Sequence, residues 1–148
     1  MEKIDKAMQE RVWERVKGSQ NSEDTELLDL IAQEWTDAAT YLTLSRRVSG
    51  KASLILRRLY EEEQTHTACL KGIYTLITGQ KPSLPPLPQT REPISATLRR
   101  CYGREMQCLA RYESRRGHPE YGSVFARLAQ QEQEHCRAVL ELIGILNR

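Results

Sequence analysis

Two of the three histidines in this 148-residue chain follow a glutamate by three positions: Glu63-Gln-Thr-His66 and Glu132-Gln-Glu-His135. On a helix, residues three apart share a face, so each pair presents a carboxylate and an imidazole to the same neighbour. That combination suits a divalent cation of the iron or manganese kind better than a thiolate site would. Glu34 and Glu105 occupy matching places on two further helical stripes. Each of the four glutamates interrupts an otherwise apolar series at three-or-four spacing, the pattern of a buried helix face. Leu27, Leu30, Ile31, Ala38, Tyr41, Ser45 and Val48 flank Glu34. Leu56, Leu59, Leu70, Ile73 and Ile77 flank the first Glu-x-x-His pair. Ile94, Leu98, Cys101, Cys108 and Tyr112 flank Glu105, while Tyr121, Phe125, Leu128, Val139, Leu142 and Leu146 flank the second pair. An unpaired ion in a dry core costs several kcal/mol, so four converging carboxylates call for compensating cations.

The chain repeats itself. Glu34 and Tyr41 stand seven apart, as do Glu105 and Tyr112, at an offset of 71 residues. The two Glu-x-x-His pairs repeat at an offset of 69. Two helical hairpins related by pseudo-symmetry would each supply half of a dinuclear site with metal ligands Glu34, Glu63, His66, Glu105, Glu132 and His135. Tyr41 and Tyr112, on the same faces, are expected to hydrogen-bond a ligand carboxylate from the opposite hairpin. Asp37, Glu61, Glu62 and Glu134 point off the stripes and read mostly as solvated charge, with Glu62 or Asp37 able to orient a ligand histidine. His118, before Pro119, reads as surface turn structure.

The elements that must position these groups are all helical, and no segment alternates as a strand would. A short amphipathic helix is expected over residues 1–18, with Ile4, Met8, Val12, Trp13 and Val16 on its apolar stripe and Gly18 ending it. Ser22 or Asp24 is a plausible N-cap for the next helix. Four long helices follow at 23–48, 51–78, 92–116 and 119–147, each roughly 38 to 42 Å long at 1.5 Å per residue. Short turns join the first to the second and the third to the fourth as antiparallel hairpins. Residues 79–91 are rich in proline, and a dozen extended residues span about 37 Å. That is enough to cross the length of a bundle, though a shorter slack loop fits the same residues. The six candidate ligands then fall near one level, close to mid-helix.

Length and composition bound the rest. One domain of 1–148 is long enough to bury a core. A net charge of +2, from 22 basic and 20 acidic residues, gives no reason to expect nucleic acid or an acidic membrane as partner. Neither a membrane span nor a signal-peptide core is visible, so a cytoplasmic protein is expected. The four cysteines (Cys69, Cys101, Cys108, Cys136) form no C-x-x-C pair and read as small buried residues in a reducing compartment.

These residues resemble the rubrerythrin-like branch of the ferritin-like di-iron carboxylate superfamily, over about residues 23 to 147. The likeness rests on Glu34…Tyr41, Glu63-x-x-His66, Glu105…Tyr112, Glu132-x-x-His135 and the long linker. It implies an all-α, ferritin-like four-helix bundle of two hairpins with a long crossover, preceded by the N-terminal helix. It also implies two iron ions, with Glu34 and Glu105 as terminal ligands, Glu63 and Glu132 as bridges, and one histidine on each metal. Manganese suits the same donors. Rubrerythrins carry a rubredoxin domain with two C-x-x-C pairs, missing here, so electrons are expected from an external donor protein. They also carry an extra carboxylate along the third bundle helix, where this chain has Cys101, Tyr102, Cys108 and Leu109. The expected activity is that of an oxidoreductase reacting with peroxide or oxygen. The alternatives are a ferroxidase or iron-handling protein and a non-catalytic, metal-stabilised helical interaction module. A homodimer is the expected assembly.

Overall fold

The computed structural model describes residues 2–87 and 91–147, with side chains from Glu23 onward. It contains four helices: α1 (Glu2–Ser45), α2 (Gly50–Thr78), α3 (Ile94–Glu113) and α4 (Gly122–Leu146), and no strand among the described residues. The expected break after Gly18 is absent, and α1 runs through Gly18, Ser22 and Asp24 as one helix. A single glycine costs only about 1 kcal/mol relative to alanine in a helix interior, and no proline stands nearby to force a stop. The expected N-terminal stripe of Ile4, Met8, Val12, Trp13 and Val16 lies outside the described side chains.

The other boundaries move by a few residues. α1 ends at Ser45 rather than Val48. Pro93, expected inside the first turn of α3, is its extended N-cap (φ −54°, ψ 142°). α2 closes on Gly79 at φ 73°, a left-handed cap suited to glycine. At the start of α4, Gly122 lies against the Arg116 carbonyl, so any Cβ there would collide. The preceding turn is held by His118, whose Nδ1 accepts the amides of Glu120 and Tyr121 while Nε2 meets Glu23 Oε1 at 2.8 Å.

Side-chain partners fix the topology. Between α1 and α3, numbers rise in one helix as they fall in the other: Arg47 bonds the Glu92 carbonyl, Tyr41 bonds Glu105, Cys108 bonds Glu34, and Arg115 pairs with Glu26. α1 and α3 are therefore antiparallel. The same holds for α2 and α4, where Lys51 pairs with Glu141, Glu62 with His135, and His66 with Gln131. Since α1 also packs antiparallel along α2 through a short turn, α2 and α3 point the same way. Parallel consecutive helices need a crossover, and the proline-rich linker supplies it. Trp35, midway along the bundle part of α1, donates to the Pro85 carbonyl at 3.2 Å, pinning the linker at half height.

The apolar core is in two parts. One, toward one end, contains Leu27, Leu30, Leu70, Ile73, Tyr112 and Phe125. The other contains Tyr41, Leu56, Leu59, Leu98, Val139 and Leu142. Leu146, expected inward, is 37% exposed at the frayed end of α4.

Leu56→Ala and Leu70→Ala, one in each apolar layer and both fully buried, should each lower unfolding free energy by about 2–5 kcal/mol in urea titrations. Leu54→Ala and Leu76→Ala, on the outer face of the same helix, should stay within about 0.5 kcal/mol of the parent.

Candidate metal centre

Between the two apolar layers lies a polar one. Glu34, Glu63, Glu105 and Glu132 are fully buried, and His66 and His135 are 1% exposed. All six sequence-expected ligands thus meet in one layer, each helix delivering its share from mid-length. His66 Nδ1 lies 2.8 Å from Glu34 Oε2, 3.0 Å from Glu132 Oε1 and 3.9 Å from Glu63 Oε2. His135 Nδ1 lies 2.7 Å from Glu63 Oε1, 3.4 Å from Glu105 Oε2 and 3.8 Å from Glu132 Oε1. The two imidazoles stack, with centroids 5.1 Å apart. Glu63 and Glu132 each approach both histidines, whereas Glu34 and Glu105 each approach one.

A second ring of residues orients the first. The outer nitrogen of His66 meets Gln131 Oε1 at 2.7 Å, and that of His135 meets Glu62 Oε2 at 2.9 Å. Each histidine is therefore held by the helix opposite its own, and with Nε2–H donated outward the Nδ1 lone pair can face a metal. Gln131 went unnoticed in the sequence, although it stands at the same 69-residue offset from Glu62 that relates the Glu-x-x-His pairs. Tyr41 donates to Glu105 Oε1 of the other hairpin at 2.7 Å. Its counterpart Tyr112 has no hydrogen-bond partner. Cys108 intervenes instead, its Sγ 3.3 Å from Glu34 Oε1. Asp37, read from sequence as mostly solvated, is 1% exposed, while Glu61 and Glu134 are exposed.

The layer's electrostatics show what it lacks. Both oxygens of Glu63 and of Glu132, one of Glu105, and Nδ1 of His135 are buried without a hydrogen bond. His135 Nδ1 is close to Glu63 Oε1 but out of line for a hydrogen bond, so neither atom is satisfied by the other. Burial first, then the neighbouring carboxylates, pushes Glu63 and Glu132 well above the ordinary glutamate range. Glu105 goes the other way: burial opposes ionisation, but the neighbouring Glu132 and His135 outweigh it and hold the group down at about 2. For His135 burial opposes the charge, and the nearby Glu105 carboxylate together with the hydrogen bond to Glu62 wins, raising it to about 9. Ligand atoms of Glu63, His66, Glu132 and His135 lie within 4.8 Å of one another, as close as donors to shared cations must be. Oxygen-rich donors, two imidazoles and buried orphan lone pairs fit divalent metal.

Among solved structures, the chain resembles the crystal structure of ferritin like, diiron-carboxylate proteins from Bacillus anthracis str. Ames, at a TM-score of 0.68. The fold is ferritin-like. The likeness spans 84% of this chain and 96% of that one at 19% identity. No family model and no curated protein matches the sequence. Within this ferritin-like bundle, no helix among the described residues is long and apolar enough to cross a membrane.

The metal-free protein should lose thermal stability as pH rises from 5 to 9. Glu63 and Glu132 hold protons when folded that they release above about pH 4.3 when unfolded, and His135 holds one that is released above about pH 6.5. The folded state therefore binds more protons across this window, and stability falls with rising pH. Glu105, held low, contributes stability that is lost only in strong acid. Divalent metal displaces those protons, so loading should release acid, bind more tightly at higher pH and remove the decline. Melting curves with and without metal, in matched buffers, check both signs.

Proposed function

We propose that the chain is a di-iron carboxylate oxidoreductase, of the rubrerythrin-like kind, that reacts with peroxide or oxygen using electrons from a separate donor protein. The observation that carries this reading is the closed layer of four buried glutamates and two imidazoles with unsatisfied lone pairs converging inside it. Glu34 with His66 and Glu105 with His135 would hold one ion each, and Glu63 and Glu132, close to both histidines, would bridge. Two iron ions there would supply two electrons to a small oxidant, and manganese suits the same donors.

The chain's own groups support such chemistry. Gln131 and Glu62 fix the two imidazoles from outside, and Tyr41 steadies Glu105. A cavity of about 310 Å³ between α2 and α4 is lined by His135 together with Arg58, Glu62 and Glu134. The apolar layers above and below exclude bulk water from the carboxylates. A homodimer in the cytoplasm is the setting in which we place it.

Anaerobic reconstitution should give two irons per chain by elemental analysis, and peroxide should then produce a ferric absorption band in the near ultraviolet. Glu62→Ala, which frees His135, should weaken the metal about 10–100-fold. A chain that takes up no metal sinks the reading. Metal without turnover of peroxide or oxygen points instead to a metal-stabilised interaction module. Oxidation of many more than two irons per chain points to a ferroxidase.

A further inference from the structure

The outer nitrogens of the two histidines rest on different chemistry. His135 Nε2 meets Glu62 Oε2 at 2.9 Å, and His66 Nε2 meets Gln131 Oε1 at 2.7 Å. Glu62 and Gln131 stand at the repeat's 69-residue offset, as do Arg58 and Arg127, so a carboxylate on one side answers to an amide on the other. The terminal carboxylates do not differ in this way, since each receives one donor: Tyr41 on Glu105 at 2.7 Å and Cys108 on Glu34 at 3.3 Å. The two halves part in charge at their imidazoles.

Glu62 is placed to act as an anion as well as a brace. Its other oxygen, Oε1, accepts from Arg58 Nε at 3.1 Å, which leaves Oε2 on the histidine. The Arg58 side chain is 76% exposed, so water screens that pair and leaves the carboxylate's charge to be felt by the imidazole. A carboxylate that accepts Nε2–H makes the opposite ring nitrogen a stronger donor to a cation, whereas an amide fixes the ring with less of that effect. We propose that Glu62, set against Gln131, grades the two metal positions: the one held by His135 and Glu105 fills first and more tightly, and the one held by His66 and Glu34 fills second. Glu62 touches no ion in this arrangement and is a positioning residue acting through His135. The inference rests on the two-metal reading above and deepens it.

The test is a calorimetric titration of the metal-free protein with zinc(II), alongside nitrogen NMR of protein labelled at its three histidines. The parent should bind two ions in steps about tenfold apart, and the first should shift the His135 ring signals before those of His66. Glu62→Gln keeps an acceptor for Nε2–H but removes the charge, and the ring signal it moves identifies His135. It should weaken the tighter step about tenfold and bring the two together. Gln131→Glu should tighten the weaker step by a similar factor. The double exchange, Glu62→Gln with Gln131→Glu, should restore two separated steps with His66 shifting first. Misfolding would weaken both steps and could not produce that reversal. If Glu62 only braces the ring, Glu62→Ala will weaken binding while Glu62→Gln leaves both steps within about twofold of the parent, and the inference fails. It also fails if the parent's two steps coincide, or if His135 still shifts first in the double exchange. A parent that takes up no zinc overturns the two-metal reading itself, a separate outcome.

Discussion

Taking carboxylates out of water is the constraint on which this molecule turns. Four glutamates without solvent contact share a single layer with two imidazoles, and apolar side chains close it above and below. Left as four anions, the layer would repel itself in a medium that screens poorly, and each ion would carry a desolvation cost of several kcal/mol. In the metal-free chain burial and mutual repulsion push Glu63 and Glu132 toward their neutral forms, while His135 is pushed toward its charged form and Glu105 is held ionised. Cations answer the same problem more completely, because they also satisfy the lone pairs that no hydrogen bond reaches.

Pseudo-symmetry distributes that task over two hairpins, and the departures from it are as informative as the matches. The four buried glutamates and two histidines repeat in type. Around them, Glu62 on one histidine is matched by Gln131 on the other, and Asp37 is matched in the repeat by Cys108, both of them close to Glu34. An anion at Glu62 draws positive charge onto His135, and the amide of Gln131 fixes the ring of His66. The tyrosines diverge for a related reason. Tyr41 reaches Glu105 directly, but the Cys108 thiol already meets Glu34, and Tyr112 stacks on Phe125 with its hydroxyl unmet.

Much of this was legible in the sequence because a helix repeats about every 3.6 residues, so a polar residue on an apolar stripe stands out. Glu34, Glu63, His66, Glu105, Glu132 and His135 were visible in that way, and the prolines after Gly79 marked the crossover. What escaped lies off the centre of a stripe. Asp37 sits three positions after Glu34, about 60° around the helix. A single stripe treats that offset as an edge, but α1 packs against both α2 and α3, and the arc it buries is wide enough to include Asp37. Gln131 stands about 100° from Glu132 and reaches His66 through its length, which periodicity cannot register. Gly18 misled in the opposite direction: it read as a stop, but one glycine without a proline leaves a helix free to continue, even with Ser22 and Asp24 close by.

The position of the six polar-layer residues along their helices follows from the crossover. Pseudo-symmetry sends α1 to α3 and α2 to α4, and both pairs run antiparallel. The axis relating the hairpins must therefore lie across the bundle rather than along it. Such an axis carries a residue above the middle to an equal distance below it, so a group and its mate share a level only at mid-length. Glu34 in the bundle part of α1, Glu63 and His66 in α2, Glu105 in α3, and Glu132 and His135 in α4 all stand there. With an axis along the bundle, α1 and α3 would be parallel, the linker could be a short turn, and paired ligands would meet at any height. The long linker held at Trp35 and the mid-helix glutamates are therefore two consequences of one arrangement. A ligand position shifted by a full turn in both hairpins would end two turns from its mate, too far for both to reach the same pair of ions.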